Sequence, residues 1–351
     1  MQAATNLRER VPVAVLGATG YAGVELLRLL ARHPGVELAF LSSEQYRGRR
    51  ASDVYPFLSG IVDLTLGAPD AAAAAAGEVV FTALPHGASA PLVRELLRHG
   101  RRVIDISADF RLKNAEVYAR WYGPHAAPEL LPDAVYGLPE LYRERLRARS
   151  TKLVANPGCY PTGAILGLAP LARAGLVTEP VVIDAKSGTT GAGRSAKVEQ
   201  LFAEVNENFR PYAIGEHRHG PEIAQELRAA GAAGPALFVP HLLPVSRGIL
   251  STIYVRTDAS AARLEELFTV AYGREPFIQL RADGPPPELR EVRGTNRCAI
   301  GWRCDAATRQ AVIVTAIDNL GKGAAGQAVQ NLNVLLDLPE TTGLDAPALV
   351  P

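Results

Sequence analysis

Cys159 stands in Leu153-Val-Ala-Asn-Pro-Gly-Cys-Tyr-Pro-Thr162, a stretch that leaves an apolar strand, turns, and starts a helix. Val154 and Ala155 suit the tail of a buried strand. Pro157 fixes its own φ, and Gly158 supplies the geometry of a tight turn. Pro161 suits a first helical turn, where its missing N–H is not needed. Ile165, Leu168, Ala169 and Ala172 then recur at helical spacing. A cysteine at this corner lies near the positive end of a helix dipole, which favours the nucleophilic thiolate. The same pattern fits a buried structural cysteine, so the other motifs must decide. Glu216-His-Arg-His-Gly-Pro-Glu222 offers His217 and His219 for thiol activation or proton transfer. The further ligands that zinc requires are not found nearby, so the expectation for metal is none.

The elements that must position these groups begin at the N-terminus. Val11-Pro-Val-Ala-Val-Leu16 suits a strand buried on both faces, and Val24 to Leu30 suits a helix. Between them, Gly17-Ala-Thr-Gly-Tyr-Ala-Gly23 supplies glycines for a tight turn and for close approach of a pyrophosphate at the helix N-terminus. Its residues Gly17, Thr19, Gly20, Tyr21, Ala22 and Gly23 are the candidate cofactor cradle. The second strand, Val36 to Leu41, ends in Ser42-Ser43, where a NAD site usually places an acid about 20 residues beyond the glycines. Hydroxyls there, with Arg47, Arg49 and Arg50 close behind, can accept a 2′-phosphate and favour NADP; Glu44 is the competing acid. Strands at Glu78–Leu84 and Arg102–Ser107, separated by helices, indicate a doubly wound sheet. The alanine run 71–76 reads as a helix or linker, and 113–150 as loops with short helices. Arg111, just past a strand end, has the fork to hold a phosphate or carboxylate.

Beyond the cysteine corner the pattern changes. Val181–Ala185 reads as a strand, followed by Lys186-Ser-Gly-Thr-Thr-Gly-Ala-Gly-Arg194, rich in backbone and hydroxyl donors for phosphate. Alternating stretches at 236–243, 248–256 and 310–317 suit a mainly antiparallel sheet with one exposed face. Asp318-Asn-Leu-Gly-Lys-Gly-Ala-Ala-Gly326 leads into an apolar helix expected to return to the first domain, and 339–351 reads as an unstructured tail.

The 351 residues suffice for two domains, and a net charge of +1 offers no field for nucleic acid. Three cysteines, Cys159, Cys298 and Cys304, are too few and too odd for a disulfide framework and fit a reducing cytoplasm. The first ten residues lack the apolar core of a signal peptide, and the longest apolar run, 163–171, is too short to span a membrane.

From Val11 to Leu338 the chain resembles the N-acetyl-γ-glutamyl-phosphate reductase family. The resemblance is carried by Gly17–Gly23, Ser107-Ala-Asp-Phe-Arg-Leu112, Asn156–Thr162, Ser187–Arg194, Glu216-His-Arg-His219, Pro240-His-Leu-Leu-Pro-Val-Ser-Arg-Gly248 and Asp318-Asn-Leu-Gly-Lys-Gly323. It implies an α/β chain of the aspartate-semialdehyde/glyceraldehyde phosphate dehydrogenase type. An NADP-binding Rossmann domain would take 1–156 and 319–351, and an α+β catalytic domain 157–318. It further implies NADPH-dependent reduction of N-acetyl-γ-glutamyl phosphate through a Cys159 thioester, in arginine biosynthesis, by a cytoplasmic homotetramer or homodimer. Either His217 or His219 would be the acid–base group, with His219, beside a helix start, preferred. Arg111, Arg247 and Asn156 would bind substrate. Ser42 and Arg47, with neighbouring Ser43, would face the 2′-phosphate, Ser187, Gly188 and Gly191 the cofactor phosphates, and Asn319 the nicotinamide. Two alternatives remain: the same chemistry on α-aminoadipyl phosphate attached to a small acidic carrier protein, in lysine biosynthesis, and a non-catalytic NADP sensor.

Overall fold

The computed structural model describes residues 10–349. The first nine residues, part of the segment read above for a signal peptide, lie outside that range.

The first half supplies β1 (Val11–Leu16), β2 (Val36–Ser42), β3 (Leu66–Gly67), β4 (Val79–Thr82), β5 (Arg102–Asp105), β6 (Val135–Tyr136) and β7 (Leu153–Ala155). They form a seven-stranded parallel sheet in the order β3-β2-β1-β4-β5-β7-β6. Helices cover both faces, which is why β4 and β7 are buried at every position instead of alternating, and apolar apart from Thr82 at the end of β4. The helix Tyr21–Leu30 follows β1 and Ser89–Arg98 follows β4. Chain order reverses between β1 and β4, so a crevice opens beyond their carboxyl ends. The alanine run forms a short helix, Ala71–Ala74, because the Asp70 carboxylate accepts the Ala73 N–H at 2.8 Å. Within 113–150 the helices Ala115–Tyr122 and Pro139–Arg147 are joined by the edge strand β6, a two-residue element too short for any sequence period.

The second half supplies β8 (Val181–Ser187), β9 (Arg210–Pro211), β10 (Ala236–Leu242), β11 (Ile249–Arg256), β12 (Ile278–Arg281), β13 (Cys298–Asp305) and β14 (Gln310–Ile317). Their order is β12-β13-β14-β11-β8-β10-β9, a mixed sheet in which β11 runs antiparallel to β8 and β14, while β8 and β10 are parallel. In β11, inward Ile249, Ser251, Ile253 and Val255 are buried and their neighbours more open. The buried face packs on the helices Cys159–Arg173 and Ala261–Tyr272, in one core with Ile183, Phe268 and Trp302. Among the described residues no helix is long and apolar enough to cross a membrane.

The helix Gly326–Leu335 returns to the first sheet. Ala328, Val329 and Leu332 join the core of Val13, Val15, Phe81 and Ile104. The segment after it has no regular structure, but over 339–349 the expectation of a loose tail is corrected, residues 350 and 351 lying outside the described range. Glu340 meets Arg143 at 2.6 Å, Leu344 is buried, and the Leu349 N–H donates to the Arg293 carbonyl at 2.8 Å. These partners lie far back in the chain, so no local pattern advertises them.

Candidate active site

Cys159 is the first residue of the helix Cys159–Arg173, reached directly from β7 through Asn156-Pro-Gly158. Asn156 is buried and wholly engaged. Its carbonyl accepts from Arg111 Nε at 2.8 Å, its amide nitrogen donates to the Ala324 carbonyl at 3.2 Å, and its Oδ1 accepts from Asn331 at 3.0 Å. It therefore ties the cysteine turn to the returning C-terminal segment.

Gly158 is the point on which the chemistry converges. A Cβ there would fall 2.7 Å from His219 Nε2, 3.0 Å from Arg111 Nη1 and 3.0 Å from Glu222 Oε2, so only glycine leaves room for the three groups. Glu222 was not singled out from sequence. It lies three residues after His219 on the helix Gly220–Ala229, and that helical spacing next to a candidate histidine was the available signal. Its Oε1 accepts the Gly158 N–H and the Tyr136 hydroxyl, each at 2.8 Å, and its Oε2 lies 3.6 Å from Arg111 Nη1. Burial raises its pKa, against the pull of Arg111 and both hydrogen bonds.

His219 and His217 lie side by side, ring centroids 4.8 Å apart, with Tyr160 5.9 Å and 5.6 Å away. The His217 Nδ1 accepts the His219 N–H at 3.1 Å. Burial pushes His219 well below the usual imidazole range, reinforced by the charges of His217, Arg111 and Arg218; burial and Arg218 lower His217 to about 4. Both imidazoles are thus neutral at pH 7. The Cys159 thiol moves the other way. Burial raises its pKa, outweighing Arg111 and the N–H groups of Cys159 and Tyr160. Desolvation in this corner thus opposes the helix dipole.

Arg111 donates to the carbonyls of Asn156 and, at 2.7 Å, Ile106, leaving Nη1 toward Glu222 and the Gly158 turn. Arg247 is elsewhere: Nη2 meets Glu25 at 2.9 Å and Nε meets Asp318 at 3.1 Å, joining the helix Tyr21–Leu30 to the end of β14. Those carboxylates occupy the guanidinium that the sequence offered to substrate.

A cavity of about 510 Å³ opens beside Tyr160 and His217, with Ser187, Gly188 and Gly191 in its wall. Lys197, Arg210 and Arg218 line it against one acid, Glu199. Asn319 is buried behind this wall, accepting from the Gly248 N–H at 2.7 Å and donating to Thr190 at 2.9 Å.

At the glycine turn, Gly17 has φ +84°, and a Cβ there would strike the Ala83 carbonyl at 2.4 Å. Gly23, without a side chain, lets the helix sit against the Gly17 carbonyl, and no side chain caps Gly20 at the helix start. The first-turn N–H groups of Tyr21, Ala22 and Gly23 are therefore left for an outside acceptor, which fits a dinucleotide pyrophosphate. Ser42 is buried and its hydroxyl accepts the Gly17 N–H at 3.2 Å, while Ser43 pairs with Thr19 at 2.7 Å. These hydroxyls brace the turn, and Arg47 stands exposed beyond them. Among the described residues no cluster of histidine, cysteine and carboxylate side chains is fit to hold a metal.

Residues 12–149 match the NAD binding domain of semialdehyde dehydrogenases, and residues 159–319 their dimerisation domain. A reductase of Geobacter sp., named N-acetyl-gamma-glutamyl-phosphate reductase, is 51% identical over 340 residues, 95% of this chain and 97% of that protein. The protein of the same name from Azotobacter vinelandii is 50% identical over 343 residues, 97% and 99% of the two chains. The chain belongs to the N-acetyl-γ-glutamyl-phosphate reductase family. In solved structures the fold matches aspartate semialdehyde dehydrogenase II from Vibrio cholerae, with TM-score 0.72, 20% identity, and coverage of 94% and 99%. It also matches the NADP complex of the Candida albicans enzyme, with TM-score 0.71, 16% identity, and coverage of 93% and 99%. The stretch that matches the NAD binding domain carries β1–β6, and the stretch that matches the dimerisation domain carries β8–β14.

Proposed function

We propose that the chain reduces N-acetyl-γ-glutamyl phosphate to N-acetylglutamate γ-semialdehyde, releasing phosphate, with NADPH as reductant, as a step of arginine biosynthesis. The observation that carries this is the convergence of His219, Arg111 and Glu222 on the residue before Cys159, beside a cavity lined by three cations. His219, neutral, takes the Cys159 thiol proton as sulfur attacks the acyl carbon. The carbon–oxygen bond to phosphate breaks, leaving a thioester. The cofactor, when bound, supplies the hydride. His219 returns its proton to the oxygen that becomes an alkoxide, then removes it as the carbon–sulfur bond breaks and the aldehyde leaves. First-turn N–H groups at Cys159 and Tyr160 support the developing negative oxygen. Glu222 and Arg111 fix the turn on which His219 Nε2 converges. Tyr160 and His217 wall the imidazole off from water.

The substrate is anionic at both ends. With Arg247 held by carboxylates, its α-carboxylate and phosphate fall to Lys197, Arg210 and Arg218, with Arg111 Nη1 nearest the scissile bond. Relatives at half identity over nearly the whole chain bear the N-acetyl-γ-glutamyl name, which favours that substrate over a carrier-bound aminoadipyl phosphate. A complete set of reacting groups is more than a nucleotide sensor needs. The dimerisation-domain match supports a homodimer or homotetramer, and three free cysteines suit a reducing cytoplasm.

The test is the reverse reaction, which avoids the unstable acyl phosphate: protein, N-acetylglutamate semialdehyde, phosphate and NADP+, followed by NADPH absorbance. Phosphate-dependent NADPH formation, abolished in Cys159→Ala while NADP+ still binds, is the expected result. Formation without phosphate, or undiminished turnover in Cys159→Ala, overturns it.

A further inference from the structure

Arg194 ends the Ser187–Arg194 loop of the second unit, yet its guanidinium lies on the first. Nη1 donates to the Thr19 carbonyl at 3.0 Å and to the Tyr55 hydroxyl at 2.7 Å, and Nη2 donates to the Tyr46 hydroxyl at 3.2 Å. Its central carbon lies 5.4 Å from the ring centroid of each tyrosine. Arg49 stands on the same Tyr46 ring at 5.8 Å. Two cations from two domains thus share one aromatic ring. Among the described residues neither has a carboxylate within 4.0 Å. Every partner recorded for the Arg194 guanidinium is neutral, a carbonyl or a phenol, so its charge is uncompensated. Thr19 belongs to the glycine turn, and Tyr46 and Arg49 follow β2, the side on which a bound dinucleotide places its adenosine ribose. A phosphate dianion would give both guanidinium groups charge-assisted bonds that these neutral acceptors do not.

We propose that Arg194 reads the 2′-phosphate of NADP across the domain boundary, paired with Arg49 on Tyr46. The assignment rests on the dinucleotide reading of the glycine turn. It also gives the loop a second duty. Lys197 and Gln200, a few residues beyond Arg194, line both a small cavity of about 170 Å³ against Tyr21 and the cavity beside Tyr160 and His217. Arg194 held by the 2′-phosphate therefore fixes the wall of the substrate cavity. Cofactor phosphate and substrate cavity are coupled through seven residues of one loop, 194–200.

Titration calorimetry with NADP+, NAD+ and adenosine 2′,5′-bisphosphate on wild type, Arg194→Ala, Arg194→Lys and Arg49→Ala tests this. Arg194→Ala is expected to weaken NADP+ and the bisphosphate about 10–100-fold, with NAD+ changed about 2-fold at most. Arg194→Lys should fall between, since it keeps the charge and loses the fork. Hydrogen exchange at 195–201 should slow on NADP+ binding in wild type but not in Arg194→Ala. Equal losses for NADP+ and NAD+, or no loss for either, overturns the 2′-phosphate assignment; unchanged exchange in wild type overturns the coupling. Wild type that binds neither nucleotide overturns the dinucleotide reading itself, a result distinct from the others. Unchanged thermal unfolding of Arg194→Ala identifies a folded variant, and Arg194→Lys keeps the test open if it is not.

Discussion

Glu222 Oε1 accepts the backbone N–H of Gly158 at 2.8 Å, across 64 residues of sequence. A buried carboxylate on one helix thus sets the turn that starts another. The same oxygen receives the Tyr136 hydroxyl from the edge of the first sheet. One side chain therefore holds the Cys159 turn, the neighbouring sheet and the Arg111 guanidinium in register.

Replacing Glu222 by alanine leaves the Gly158 N–H and the Tyr136 hydroxyl without a partner and Arg111 without its carboxylate in a buried site. The expected cost is about 2–5 kcal/mol in urea unfolding and at least about 100-fold in turnover. Glu222→Gln keeps an acceptor and should recover most of the stability but not the turnover. Equal recovery of both would mean that the carboxylate charge has no part in the chemistry.

Gly158→Ala places one methyl group among His219 Nε2, Arg111 Nη1 and Glu222 Oε2. Turnover should fall about 100-fold or more, since misplacement near 1 Å costs that much, while NADP+ affinity, set at the other end of the crevice, stays unchanged. Near-normal activity would show that the three groups need not converge.

Because burial raises the Cys159 pKa and lowers that of His219, the free enzyme carries a thiol at neutral pH. Alkylation of Cys159 by iodoacetamide should accelerate only above the pH at which free cysteine ionises, about 8.5. Acceleration centred below pH 7 would instead reveal a thiolate–imidazolium pair.

Asp105 is pushed up to about 6 by burial and by Asp109, although Thr82 and Ser107 donate to it at 2.5 Å and 2.7 Å. Its folded pKa exceeds its unfolded one, so the folded protein binds the extra proton between about pH 4 and 6. The stabilisation is complete at the acid end and is lost as pH rises through 6, on the order of 3 kcal/mol. Asp105→Asn should flatten that slope in pH-dependent urea unfolding; an unaltered slope would place the titration on another group.

Arg247→Ala separates the two views of that residue. Freed Glu25 and Asp318 carboxylates should lower stability by about 3–5 kcal/mol, with little change in the KM for acyl phosphate. A large rise in KM with unchanged stability would restore Arg247 to the substrate.

What sequence made legible was local. The glycine turn after β1, the strand–turn–helix corner at Cys159 and the apolar helix 326–335 follow from residue types a few positions apart. Whatever depended on a distant partner was not. Arg247 pairs with Glu25, 222 positions away, and Arg111 spends its fork on carbonyls that offer no side-chain signature. Glu222 sat within a motif already in view, but its acceptor role appears only once Gly158 packs against it. The balance of dipole and desolvation at Cys159 was hidden for the same reason. A dipole is set by the element itself, whereas desolvation is set by everything folded around it.

The helix Gly326–Leu335 completes the core of a sheet whose last strand ends at Ala155. On the ribosome, which delivers the N-terminal half first, β1–β7 must therefore wait for nearly the whole of the second unit to be synthesised. Nascent chains halted before residue 326 should expose the apolar face that this helix covers, and remain sensitive to protease or bound by chaperone there. Chains extended past residue 338 should become resistant in one step. Synthesis and completion run in opposite directions along this polypeptide: the half made first is the half finished last.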